Sequence, residues 1–145
     1  MKVCGFIGQM GINMPNYIEE VLKQDLKQIV EEFDVIYVSF YGEFQNYVLH
    51  FLRENFRKGL KIVGVHGYDN SYNDLEQKYL GRLYDDVIKI NEQDMFLHTN
   101  QIILKNCSQL YFYVNENRHS DELIALNEAR NKDMAFKNYF KYIKL

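Results

Sequence analysis

Near its start the chain reads VCGFIGQMG, from Val3 to Gly11. A short apolar run, Val3–Ile7, gives way to Gly8 and Gly11. Such a run reads as a buried strand, and the glycines allow the tight turn that leaves it. Asn13 or Asn16 is placed to cap a helix, with Pro15 near its first turn. From Asn16 to Glu32 the apolar residues Ile18, Val21, Leu22, Leu26, Ile29 and Val30 keep helical spacing. Strand, glycine turn and amphipathic helix together make the first half of a βαβ unit.

Downstream the pattern repeats. Asp34–Phe40 (DVIYVSF) is rich in β-branched and aromatic residues and predicts a second strand, ended by Gly42. Phe44, Tyr47, Val48, Phe51, Leu52 and Phe56 form the stripe of a second helix, with Gly59 as its stop. Leu60–Val65 (LKIVGV) predicts a third strand. The order β-α-β-α-β favours a parallel sheet with right-handed crossovers. Gly67–Asp74 reads as an irregular loop and Leu75–Leu83 as a short helix, while Asp85–Ile90 is undecided. Asp94–Asn106 predicts a helix with Phe96, Ile102 and Ile103 inward, and Gln109–Val114 (QLYFYV) a strand. Ser120 or Asp121 caps a helix to about Arg130 that buries Leu123, Leu126 and Ala129. Tyr139–Leu145 (YFKYIKL) reads as a last strand. The expected fold class is α/β: one domain over 1–145, with an open, mostly parallel Rossmann-like sheet of about five strands and helices on both faces.

At 145 residues and 47% hydrophobic, the chain is long and apolar enough for a real core. Its net charge of −3 gives no global attraction for nucleic acid. Four lysines in Lys132–Lys144 alternate with Phe and Tyr and read as a solvated strand face. Cys4 lies in an apolar run and reads as a buried small hydrophobe, whereas Cys107 reads as structural and partly exposed. Neither CxxC nor HExxH occurs and the four His are scattered, so no metal or other cofactor is expected. No apolar run approaches the roughly 18 residues of a membrane span. The expectation is a reducing cytoplasm and no membrane.

Ligands of open α/β sheets bind outside the carboxyl ends of the strands. Four segments fall there: Phe6–Met10, Tyr41–Phe44, Thr99–Asn100 and His119–Asp121. The candidate ligand-binding residues are Gly8, Gln9, Met10, Gly42, Glu43, Phe44, Thr99, Asn100, Ser120 and Asp121. Gly8 and Gly11 suit a phosphate cradle, or simply a tight strand-to-helix turn. Glu43 suits an acid/base or a ribose contact, or else a first-turn acid facing the helix dipole. Gln9 suits a base or sugar edge, or a surface amide. Thr99 and Asn100 interrupt a predicted helix with polar groups, which a pocket would explain. Ser120 suits a helix cap, and a capped N-terminus is also an anion site, but Asp121 beside it would repel a phosphate. The tyrosines Tyr37, Tyr41, Tyr68, Tyr72, Tyr111 and Tyr113 suit base stacking or core packing.

In order and spacing these motifs resemble the SLOG superfamily, the Rossmann-like fold of LOG-type nucleoside phosphoribohydrolases and DprA-type DNA-binding proteins. The likeness spans nearly the whole chain and is nearest to short stand-alone members of Gram-positive bacteria and their phages. An FTGHR-like turn of the family is FIGQM here, and its GxFD-like element is Gly42–Gln45 (GEFQ). Its RN pair becomes Thr99–Asn100, and its FYV…RxSG element keeps Phe112–Val114 and Arg118 but ends in Ser120–Asp121. Two cations are lost at Met10 and Thr99, an acid is gained at Asp121, and no PGGxGT loop is present. The resemblance implies binding of a nucleotide-derived small molecule at the sheet's carboxyl edge. With those departures, binding without catalysis is the expected function, and a neutral nucleoside is favoured over a phosphorylated one. The alternatives are a phosphoribohydrolase-like hydrolase with Glu43 as acid/base, and a degenerate protein-interaction module. The expected partner is the nucleotide derivative, nucleic acid is disfavoured, and a homo-oligomer is compatible.

Overall fold

The computed structural model describes residues 1–39, 42–67, 82–90 and 95–144. In chain order the elements are β1 (Val3–Gly8), α1 (Asn16–Glu32), β2 (Val35–Ser39), α2 (Glu43–Glu54), β3 (Lys61–Gly67), β4 (Asp86–Ile90), α3 (Met95–Asn106), β5 (Gln109–Tyr113), α4 (Asp121–Asn131) and β6 (Ala135–Asn138). A 3-10 helix, Tyr139–Tyr142, follows β6. The six strands lie in the order β4-β3-β2-β1-β5-β6, and every pairing is parallel. This is the expected α/β Rossmann-like sheet.

Winding runs outward from β1 to β4, then returns to β5 on the other side of β1. That reversal makes the β1–β5 boundary the switch point of the sheet, where such folds open a crevice. It also divides the core. Leu22, Leu26, Val48 and Leu52 of α1 and α2 pack with Phe6, Ile36, Val38 and Ile62 on one face. Ile103, Leu104, Leu126 and Ala129 of α3 and α4 pack with Ile7, Val65, Leu110 and Phe112 on the other. Phe6 and Ile7 fall in different clusters because successive strand residues face opposite ways.

Close approach of α3 to β1 depends on Gly5. A Cβ there would overlap Cγ2 of Ile103 and lie 2.9 Å from Sγ of Cys107. Cys107 is therefore buried, not partly exposed as expected, and burial pushes its thiol up to about 12. Cys4 is buried as well, and its thiol is also raised.

Several boundaries depart from expectation. Asp86–Ile90 is a strand, pairing in register with Val63–Gly67. The last strand is Ala135–Asn138 rather than Tyr139–Leu145. Asn138 decides this. Its side chain accepts from the Val114 amide at 3.0 Å, donates to the Val114 carbonyl at 2.9 Å, and accepts from the Phe140 amide at 3.2 Å. It thus occupies the next rung of the ladder and turns the chain into the 3-10 helix. Of the four lysines beyond Arg130, Lys137 alone lies on a strand, where it pairs with Asp25; Lys132 pairs with Glu128, and Lys141 and Lys144 lie over the rings of Tyr142 and Tyr17.

Helix α2 ends at Glu54, short of Gly59, since the Asn55 amide and side chain both donate to the Phe51 carbonyl. Phe56 is consequently exposed. The N-cap of α1 is Pro15, whose carbonyl accepts from the Ile18 and Glu19 amides, so neither Asn13 nor Asn16 caps it. The expected loop Gly67–Asp74 and helix Leu75–Leu83 lie almost wholly outside the described residues. No described helix is long and apolar enough to cross a membrane.

Substituting Gly5→Ala forces a methyl group between β1 and α3. Overpacking of this kind costs about 1–3 kcal/mol. We expect the unfolding free energy to fall by that amount, read as a lower urea midpoint with an unchanged slope, and a wild-type midpoint would show that α3 is not held against β1 at this point.

Candidate functional site

A small cavity opens at the carboxyl edge of the sheet. Gly8 ends β1, Ser39 ends β2, and Gln45 stands in the first turn of α2. Phe96, Thr99 and Asn100 reach it from α3, Glu122 from the first turn of α4, and Met10 from the loop after β1. The whole concavity, its open mouth included, holds about 260 Å³, but only about 10 Å³ admits the centre of a water-sized sphere. That enclosed part takes one water or one polar ligand atom.

The lining is polar in an otherwise apolar interior. Among the described residues six polar side chains are buried: Gln9, Ser39, Gln45, Thr99, Asn100 and Asn138. Four of them, Ser39, Gln45, Thr99 and Asn100, line this cavity. Gln45 is 2% exposed, and its Nε2 donates to the Gly8 carbonyl at 2.7 Å and to Ser39 Oγ at 3.1 Å. Its Oε1 is buried without a hydrogen-bond partner among the described residues. The Gly8 carbonyl only accepts, so the amide nitrogen must face it, and the orientation of the side chain is settled. A buried acceptor left unpaired costs free energy that a bound donor would recover.

Glycine makes room for this amide. A Cβ on Gly42 would lie 2.5 Å from Gln45 Oε1, and one on Gly8 would lie 3.0 Å from it. Gly42 is also the N-cap of α2 at φ 116°, a backbone that side-chain-bearing residues rarely adopt.

Asn100 and Glu122 join α3 to α4. Asn100 Nδ2 donates to Glu122 Oε2 at 2.8 Å. Burial raises the Glu122 carboxyl above its ordinary 4.5, and Asp121 adds to this, while the Asn100 hydrogen bond and the charge of Arg118 oppose it.

The other sequence candidates have structural partners. Gln9 is 1% exposed; its Oε1 accepts from the Asn115 amide at 2.8 Å, and its Nε2 lies within reach of Ser120 Oγ, Asn115 O and Arg118 O. It clamps the β1 turn to the loop after β5 and is no surface amide. Ser120 Oγ also accepts from the Leu123 amide at 3.0 Å, so Ser120 is the N-cap of α4. Glu43 is exposed, and its Oε2 accepts from the Met14 amide at 2.6 Å. Phe44 is buried in the core, stacked on Tyr113 and tilted against Phe6. Glu43, Phe44 and Asp121 do not border the cavity, and Gly42 reaches it only through Gln45. Of the tyrosines, Tyr111 and Tyr113 stack within the core, while Tyr41, Tyr68 and Tyr72 lie outside the described residues. No group of three His, Cys, Asp or Glu among the described residues is placed to hold a metal.

Gly8, Met10, Thr99 and Asn100 were thus placed at one cavity by sequence reasoning; Ser39, Gln45, Phe96 and Glu122 were not. Ser39 carried a signal as the polar residue between Val38 and Phe40 in an apolar strand.

A scan against protein-family models finds no match, and a search of curated proteins finds none either. Solved structures do match. The DNA processing protein A (DprA) structure from Streptococcus pneumoniae superposes with a TM-score of 0.70 at 15% identity, over 93% of this chain and 49% of that one. A structural-genomics target, TM1055, gives 0.66 at 14% identity, over 94% and 72% of the two chains. Moco carrier protein from Chlamydomonas reinhardtii gives 0.57 at 11% identity, over 93% and 74%. The chain spans about half the length of the DprA structure. At these identities the likeness is one of fold, and that fold is shared with a DprA structure, one of the protein types whose motif order this chain resembles.

Two outcomes follow from this geometry. Gln9→Met keeps the volume but strands the Asn115 amide, and an unpaired buried group costs roughly 1–3 kcal/mol; a chemical denaturation midpoint lowered accordingly is expected. Glu122 has a folded-state pKa above its unfolded value, so its contribution to stability is complete below about 4.5 and is lost as pH rises through the folded value. Glu122→Gln should therefore melt above wild type at pH 7 and level with it at pH 4. Equal melting temperatures at pH 7 would place the carboxylate in water.

Proposed function

We propose that this protein binds a nucleotide-derived small molecule at the carboxyl edge of its sheet and does not transform it. The observation that carries this reading is the gathering of four of the six described buried polar side chains at one cavity, one of them with an unpaired acceptor. Buried polar groups are costly unless paired. Gln9 and Asn138, the two elsewhere, each hold backbone groups of neighbouring segments.

The enclosed volume supports a ligand lying across the mouth with one polar group lowered inside. A holding role agrees with the structural likeness to a protein named as a carrier of Moco. Hydrolysis with Glu43 as acid/base is less well supported, since its carboxylate already accepts from the Met14 amide outside the cavity. Two buried free thiols fit a reducing cytoplasm.

Calorimetric titration of the pure protein with a panel of nucleosides and nucleoside monophosphates tests this. Saturable binding of at least one member is expected, weakened about tenfold or more in Asn100→Leu, as loss of a buried polar contact implies. Circular dichroism checks that this variant folds. Chromatography should return the ligand intact. Absence of binding across the panel, or binding indifferent to Asn100→Leu, overturns the reading; release of a free base moves it to a hydrolase.

A further inference from the structure

We infer that the cavity reads a hydrogen-bond donor: Glu122 and Gln45 select a ligand that lowers an amino group into it, and they reject a carbonyl or phosphate oxygen at that place. This rests on the reading above and narrows its ligand to amino-bearing bases.

The one charged side chain of the described lining is an acid, Glu122. Gln45, in the same lining, has an unpaired Oε1, because its nitrogen is committed to the Gly8 carbonyl and Ser39 Oγ. Glu122 presents a carboxylate at the same cavity. Asn100, a neighbouring amide, already spends one N–H on that carboxylate. The Ser39 and Thr99 hydroxyls can rotate to donate or accept and so impose no preference. Arg118 is exposed, lies beside Gly11 and does not line the cavity. A ligand oxygen placed here would meet an acceptor at Gln45 and a negative charge at Glu122. An amino group carries two N–H bonds, enough to satisfy both. Sites built to pair with a donor discriminate strongly against analogues that lack it, since their own polar groups are then left unpaired.

Glu122 is thus the residue that sets specificity. Glu122→Gln retains an oxygen for Asn100 but brings an N–H of its own, so it can answer a carbonyl as readily as an amine.

Cytidine carries an amine where uridine carries a carbonyl, and the adjacent ring nitrogen changes from acceptor to N–H donor; adenosine and inosine differ in the same way, so the carbonyl bases keep a single N–H, which cannot answer both Gln45 and Glu122. Calorimetry with these four nucleosides and their monophosphates, on wild type and Glu122→Gln, tests the inference. Each amino nucleoside should bind about tenfold or more tightly than its carbonyl counterpart, as expected for a contact to a charged acceptor. The monophosphates should bind no more tightly than the nucleosides. In Glu122→Gln the ratio should fall toward one. Saturable uridine or inosine binding that equals the amino partner's and is lost in Asn100→Leu overturns this inference while leaving the binding reading intact. A ratio unchanged in Glu122→Gln also overturns it. No binding by any of the eight compounds overturns the binding reading, and this inference with it.

Discussion

The side chain of Gln45 ties together the ends of two neighbouring strands. Its nitrogen reaches the Gly8 carbonyl at 2.7 Å and Ser39 Oγ at 3.1 Å, bridging the last residues of β1 and β2 below the mouth of the sheet. A parallel ladder leaves carbonyls without partners where its strands stop, and a buried carbonyl must find one. Gln45 supplies it. The position works only because Gly8 and Gly42 carry no Cβ where its oxygen lies. Around this amide the first turn of α2, the exit of β1 and the floor of the cavity are set together.

A second amide, Gln9, does the corresponding work on the other side of β1. It holds Asn115 and Ser120, and so fixes where α4 begins. With α4 placed, Glu122 in its first turn meets Asn100 of α3. The switch point between β1 and β5 is thus braced by two glutamines, one facing each neighbour strand of β1. Where a phosphate-binding crevice would carry cations, this one carries amides and a carboxylate. The absence of Arg or Lys from its described lining and the raised Glu122 carboxyl point the same way. An anion there would add charge next to a group that burial already discourages from ionising.

The order of elements was legible because hydrophobic period is a local property. Strands of five or six apolar residues and helices with i, i+3 and i+4 stripes keep their signatures in isolation. Cap and turn positions were less legible. Pro15, Asn55 and Asn138 end or begin elements through hydrogen bonds to particular carbonyls and amides, and similar polar residues stand nearby without that geometry. Asn138 is the clearest instance: its amide competes with the strand it terminates, and only the neighbouring Val114 makes that competition succeed.

For the site, sequence by itself determined the edge of the sheet at which Gly8, Thr99 and Asn100 come together, since element order fixes which strand ends share a side. It did not determine which acid faces the cavity. Glu43 and Glu122 both stand in the first turn of a helix after a parallel strand, and local sequence does not distinguish them. Tertiary packing separated them. Glu43 turns to the Met14 amide, 29 residues earlier in the chain, while Glu122 turns to Asn100, 22 residues earlier on a different helix. Such contacts depend on how α2 meets the loop after β1 and how α4 meets α3. Neither distance is encoded in local periodicity, because each is set by side chains that meet only once the sheet has formed.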